Sequence, residues 1–205
     1  MDLVILTADK NTKLGLQGLL TRPARLGIRD IESTIFVHPK RDPGVLRQCH
    51  EFLREILRQA EFALVIFDRE GCGSEEPRTA LEATVEKKLA QNGWEARSAA
   101  VVIEPELEAW VWGEYAQVGD MLGWQQHGEG LRQWLIQEGF LQPPLLKPGR
   151  PKEALDRALR ILKRPRSSSI YRDLATGVSF NGCTDPAFQK LKQTLQNWFP
   201  PRTET

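Results

Sequence analysis

Over its first half the chain alternates short apolar runs with longer segments of mixed polarity. Apolar runs at Leu3 to Ala8, Thr34 to Val37, Phe62 to Phe67 and Ala99 to Ile103 predict four strands. Three of them are nearly continuous in aliphatic or aromatic residues, as expected of strands covered on both faces. A helix weakened by Gly15 and Gly18 is predicted up to about Leu20. The clearest helix pattern follows the second strand. Asp42 stands where an N-cap belongs and Pro43 at the first helical position, and Val45, Leu46, Cys49, Leu53, Ile56, Leu57 and Ala60 repeat at helical spacing. Pro77 opens another helix that stops near Asn92-Gly93, and Glu104-Pro105 starts a further one through Trp110. Strands and helices alternating in this way predict an α/β fold, with a mostly parallel central sheet of about four strands flanked by helices. In such sheets ligands bind beyond the carboxyl ends of the strands.

The alternation stops after Glu114. One amphipathic helix is expected between Gly128 and Gly139, followed by a proline-rich connection from Gln142 to Pro151. Residues 152–163 place Leu155, Ala158, Leu159 and Leu162 on one helical face, opposite Lys152, Arg160, Lys163 and Arg164. Asp185-Pro186 starts a last helix with Phe188, Leu191, Leu195 and Trp198 as its core-facing stripe. The expected organisation is an α/β core over residues 1–115, a helical C-terminal extension over 116–200 packed on it as one globular unit, and a frayed tail at 201–205.

Composition adds bounds rather than detail. With 205 residues, 40% hydrophobic and 27% charged, the chain can bury an ordinary core. No apolar stretch approaches the ~20 residues that span a bilayer, and Met1 to Leu6 lacks the basic start of a signal peptide. Cys49, Cys72 and Cys183 are odd in number and far apart, which argues against a disulfide framework or zinc site. A cytoplasmic protein without a membrane partner is expected. The net charge of +1 hides an uneven distribution. Glu61 to Glu114 holds 12 acids against 5 bases, whereas Tyr115 to Thr205 holds 13 bases against 8 acids. Such asymmetry suits a metal-binding centre in phosphate-friendly surroundings, or self-complementary packing.

The acids fall where the fold puts a site. Asp68 and Glu70 follow the third strand two residues apart, so both carboxylates face one side of an extended segment. Asp9 ends the first strand and supplies a third oxygen if the first and third strands are neighbours. A sparse carboxylate set of this kind suits Mg²⁺ (or Mn²⁺), which keeps several waters and meets substrate phosphate. The plainer reading is that acids followed by glycines begin turns. Glu104, Glu106 and Glu108 form a second group, with Glu104 and Glu108 on one face of the expected helix. Glu104 is the candidate second ligand or general base. Lys10, His38, Lys40 and Arg41 follow the first two strands and are candidates for engaging phosphate, with Lys10 and His38 near the chemistry. Between Lys147 and Arg166 stand eight bases and two acids, and Arg160, Lys163 and Arg164 there form a possible nucleic-acid face or a match for the acidic middle. No G-x-x-x-x-G-K-[ST], G-x-G-x-x-G or G-x-S-x-G motif is present.

An acid after the first strand and an acidic pair after a later one resemble Toprim-like domains, the metal-binding module of topoisomerases, primases and related nucleases. Asp9, Asp68 and Glu70 take the matching positions, with Asp9 where the family usually has Glu and Glu70 where it usually has a second Asp. The segment Glu104-Pro-Glu106-Leu-Glu108-Ala-Trp110 is similar to one found in small bacterial members. So are Pro151 to Leu155, Ser169 to Tyr171 and Cys183 to Phe188. More narrowly, Leu6 to Lys10, His38 to Gly44 and Phe67 to Gly73 resemble the small proteins of bacterial methylation-associated defence systems. That resemblance implies a role in resisting phage beside a DNA methyltransferase module and other defence proteins. The expected activity is Mg²⁺-dependent phosphodiester chemistry on nucleic acid, with a non-catalytic subunit that binds a partner or senses nucleic acid as the alternative.

Overall fold

The computed structural model of the chain describes residues 1–202; residues 203–205 of the expected tail lie outside it. Four strands, β1 (Leu3–Thr7), β2 (Ser33–Val37), β3 (Phe62–Asp68) and β4 (Ser98–Ile103), form one all-parallel sheet in the order β2-β1-β3-β4. The strands expected from the apolar runs are all present, within a residue of their expected ends.

Helices α1 (Lys10–Leu20) and α2 (Pro23–Leu26) connect β1 to β2, α3 (Arg41–Arg54) connects β2 to β3, and α4 (Arg78–Leu89) connects β3 to β4. From β1 the chain moves outward to β2, then crosses back over to β3. The strand order therefore reverses between β1 and β3, and the crevice at their carboxyl ends is where ligands of open α/β sheets bind.

Alternation along the strands divides the core in two. Val4, Leu6, Val65, Phe67, Ala100 and Val102 face α3 and α4, where Val45, Cys49, Leu53, Leu81, Val85 and Leu89 meet them. Leu3, Ile5, Leu64, Ile66, Val101 and Ile103 face the other way. That second layer is built by α1 and by the C-terminal helices α5 (Tyr115–Leu122), α6 (Leu131–Gln137), α7 (Pro151–Ile161), α8 (Ser169–Gly177) and α9 (Pro186–Trp198). Each large aliphatic side chain so enclosed contributes about 2 kcal/mol relative to exposure.

Gly18, which weakens α1 in isolation, has a packing reason. A Cβ there would lie 2.6 Å from the carbonyl oxygen of Arg172, so only glycine lets α1 approach α8 this closely. Asp185 caps α9, its Oδ1 accepting from the amides of Ala187 and Phe188 at 3.1 Å each. Two expected helix starts are displaced. Helix α3 begins at Arg41, with Lys40 at the N-cap, so Asp42 lies in the first turn and its side chain is released for another task. No α-helix begins at Pro105. The chain bends at Glu104 and Pro105, is extended at Glu106 and then enters a short 3₁₀ segment, Leu107–Trp110.

The acidic middle is in part self-complementary packing. Strand β4 lies at the sheet edge, and its outward amides at Ala100 and Val102 donate to Glu86 and Glu82 of α4, both at 3.0 Å. Lys190 of α9 binds both carboxylates, at 2.8 and 3.2 Å, and Arg78 adds a 2.7 Å bond to Glu82. An edge whose donors are engaged this way offers no template to another strand. Among the described residues no helix is long and apolar enough to cross a membrane.

Candidate metal centre and anion cleft

Parallel pairing sets Thr7 of β1 beside Ile66 of β3, so Asp9 and Asp68 leave adjacent strands at the same end of the sheet. The condition on which a shared site depended, that the first and third strands be neighbours, is met. Asp9 caps α1 through a 2.8 Å bond from the Thr12 amide to its Oδ1. Asp42 reaches across from α3, and its Oδ1 accepts the Asp68 amide at 2.9 Å. Beyond the sheet edge the Arg69 amide bonds Ile103 and the Glu70 amide bonds Pro105, which lays the segment after β3 against the segment after β4.

These side chains line one cleft of about 850 Å³. Six carboxylates (Asp9, Asp42, Asp68, Glu70, Glu106, Glu153) stand there against four bases (Lys40, Arg41, Arg150, Lys152), a formal excess of two negative charges. Helices α1, α3 and α7 all begin at its walls, and their positive ends add to the pull on anions. Arg41 holds a left-handed backbone (φ 50°), uncommon for a residue with a Cβ, at the start of α3.

Asp68 is the unusual member. Its Oδ1 is enclosed and has no hydrogen-bond partner among the described residues. Burial raises its proton affinity well above the ordinary carboxylate range, and the nearby Asp42, Glu108 and Asp9 carboxylates raise it further; only the Leu107 amide acts the other way. Asp42 is raised by burial and by Asp9, and Glu106 by burial and by Glu108. A carboxylate that has lost its water and faces other carboxylates lacks a cation or a proton.

A divalent ion is one way to meet that need. The side-chain oxygens of the cleft are all carboxylate, the preferred ligands of Mg²⁺ and Mn²⁺, and Asp68 adds an enclosed oxygen without a hydrogen-bond partner among the described residues. Among the described residues no three His, Cys, Asp or Glu side chains are gathered into a group that could hold a metal ion. The residues fit at most an open site that holds an ion through one or two direct oxygens and water. Asp68 with Asp9 or Asp42 would hold it, with Glu70, exposed at the rim, within the same cleft.

Of the other candidates, Lys40 and Arg41 line the cleft. Lys10 and His38 border an adjoining hollow of about 380 Å³ that shares Asp9 and Arg41. His38 is buried, which lowers its proton affinity, and its Nδ1 accepts from the Lys40 amide at 3.1 Å. It shapes the turn that carries Lys40, Arg41 and Asp42. Glu104 is not brought to the cleft: it is half-exposed and pairs with Arg69 at 3.5 Å, because the chain does not turn into a helix at Pro105. Arg160, Lys163 and Arg164 also lie outside the cleft lining. Arg164 binds the Met121 carbonyl at 2.9 Å, and most of the basic stretch is engaged inside the chain.

Sequence reasoning missed Asp42, Glu106, Arg150 and Lys152 as cleft residues. Lys152 clasps Glu106 twice, its amide on Oε1 at 3.1 Å and its Nζ on Oε2 at 3.3 Å. Burial alone would lower the Lys152 proton affinity, and the Glu106 and Glu108 carboxylates together more than reverse this. Glu108, buried beside them, is bound by Arg166 and by the Tyr171 hydroxyl. Trp110 and Trp112 are buried with their ring N–H groups bonded to Asp185 and the Pro151 carbonyl, a packing role. Compared with protein-family models, with curated proteins and with solved structures, the chain finds no match.

Proposed function

We propose that this chain is a Toprim-like, Mg²⁺- or Mn²⁺-dependent phosphodiester enzyme, a nuclease acting as part of a prokaryotic anti-phage defence system. The observation that carries the chemistry is the buried carboxylate oxygen of Asp68, unpartnered among the described residues, in the cleft it shares with Asp9 and Asp42 at the reversal of strand order. The defence setting, and with it a DNA methyltransferase module among the partners, rests on the resemblance of Leu6 to Lys10, His38 to Gly44 and Phe67 to Gly73 alone.

A divalent ion bound there would polarise a phosphoryl oxygen and lower the proton affinity of a bound water. The chain's own residues do the rest. Lys40 and Arg41 on one wall, exposed and without an ion pair among the described residues, meet the phosphate backbone, and exposed Arg150 on the other wall, paired with exposed Glu153, adds to them. The positive ends of α1, α3 and α7 bias the cleft toward the same anion. Asp42, through its bond to the Asp68 amide, fixes the end of β3 and so the direction of the Asp68 carboxylate. Glu104, turned away toward Arg69, takes no part.

The test is cleavage of single- and double-stranded DNA and RNA by purified protein with Mg²⁺ or Mn²⁺, against Asp68→Ala and Arg41→Ala. Cleavage by the wild type alone is expected. A second reading, a non-catalytic subunit that binds nucleic acid or a defence partner, is favoured by the absence, among the described residues, of three His, Cys, Asp or Glu side chains grouped so as to hold a metal ion. Absence of cleavage with any substrate, together with phage resistance that survives Asp68→Ala, would replace the first reading with the second.

A further inference from the structure

We infer that Lys152, delivered to the cleft by the helical extension, is a resident counter-cation of the acidic site, so that the extension sets how tightly the site holds a divalent ion. The inference rests on the reading that the cleft seats such an ion.

Three observations carry it. First, Lys152 is the one cleft base bound to a buried cleft carboxylate: Glu106 is 8% exposed at its side chain, while Lys152 itself is 52% exposed. Lys40 and Arg41 form no ion pair among the described residues, and Arg150 pairs only with exposed Glu153. Second, Lys152 and Glu106 line the same cleft as Asp9, Asp42 and Asp68. The Lys152 ammonium therefore occupies the same field that a divalent ion would enter. Third, the attachment is divided between two groups. The Lys152 amide holds Glu106 Oε1, while the ammonium adds a single bond to Oε2. The ammonium can leave without undoing the backbone clasp that docks α7 on the segment after β4. Arg166, by contrast, is locked by Glu108, Asp156 and Tyr171 together, and offers no such freedom.

Removing the ammonium takes the formal excess in the cleft from two negative charges to three and frees one oxygen of Glu106. A unit charge near a partly buried divalent ion changes its binding by an amount worth about tenfold or more in affinity. Lys152→Met keeps the length and apolar stem of the side chain and the amide clasp, so the fold is retained.

Mn²⁺ is titrated calorimetrically into wild type, Lys152→Met, Lys152→Arg and Lys87→Met, the last an exposed α4 lysine outside the cleft. Expected are Mn²⁺ binding about tenfold tighter in Lys152→Met, and near wild-type affinity in the other two. The rise in melting temperature on adding Mn²⁺ should follow the same order. Measurable wild-type binding with Lys152→Met equal or weaker overturns the counter-cation role and leaves the metal site standing. No Mn²⁺ binding in either protein removes the site and the inference together.

Discussion

Asp68→Asn should make the metal-free protein more stable. The wild-type carboxylate has an enclosed oxygen without a donor and faces Asp42, Asp9 and Glu108. Asparagine keeps the shape, removes the charge and gains an amide that can donate to those same carboxylates. A buried polar group left unsatisfied costs about 1–3 kcal/mol, and relief of that cost is the expected gain near neutral pH. For a chain of about this size each kcal/mol moves the melting temperature by about 2–4 °C, so a rise on the order of 5 °C is expected. The pH dependence has a definite sign. Because burial raises the Asp68 proton affinity in the folded state, the folded chain binds more protons than the unfolded chain at every pH between the ordinary carboxylate value and the raised one. Stability from this group is therefore highest in acid and falls as pH rises through that window. Asp42 and Glu106 are raised as well and add the same sign, so Asp68→Asn should flatten the slope without abolishing it. Scanning calorimetry in chelator at pH 5 and pH 8 measures both effects. A variant less stable than wild type at pH 8, with an unchanged slope, would show that Asp68 is well satisfied and would refute the reasoning.

Two further perturbations probe the scaffold. Glu82→Ala leaves the Val102 amide, Arg78 and Lys190 without their shared acceptor, and a loss of about 3 kcal/mol in urea unfolding is expected, with Glu82→Gln recovering part of it; equal stability of wild type and alanine variant would contradict the edge-capping role. In Gly44→Ala the new Cβ would fall 2.3 Å from His38 Nδ1, so the turn carrying Lys40 to Asp42 must shift, with a cost of about 1–3 kcal/mol and weaker Mn²⁺ binding by calorimetry. Unchanged melting and unchanged binding would show that His38 does not shape this wall.

Much of the frame could be read from the chain because the strands are short, apolar on both faces and bounded by charged or glycine-containing loops. That pattern placed Asp9 and Asp68 at strand ends, and the strand order then made them neighbours. Asp42 was hidden by its context. Asp-Pro before an apolar repeat reads as a cap, yet the helix starts two residues earlier and the carboxylate bonds an amide 26 positions away, a contact no local pattern records. The exchange of Glu104 for Glu106 has a similar origin. A helix from Pro105 would have put Glu104 and Glu108 on one face, but the extended backbone at Glu106 breaks that geometry. The basic stretch from Lys147 to Arg166 could serve an acidic ligand or the acidic middle, and the choice depends on tertiary packing. Lys152, Arg166 and, further along, Lys190 all turn inward to Glu106, Glu108, Glu82 and Glu86. One element, α8, was open to local reading: Ile170, Tyr171, Leu174 and Ala175 repeat at helical spacing and are its buried face.

The most direct test of the account is an anomalous difference map from crystals of the protein soaked in Mn²⁺. A peak within coordination distance of Asp68 and of Asp9 or Asp42, lost in Asp68→Asn, is the predicted result. A cleft without such a peak at saturating Mn²⁺, with Asp68 bonded instead to a neighbouring carboxyl through a shared proton, would contradict it.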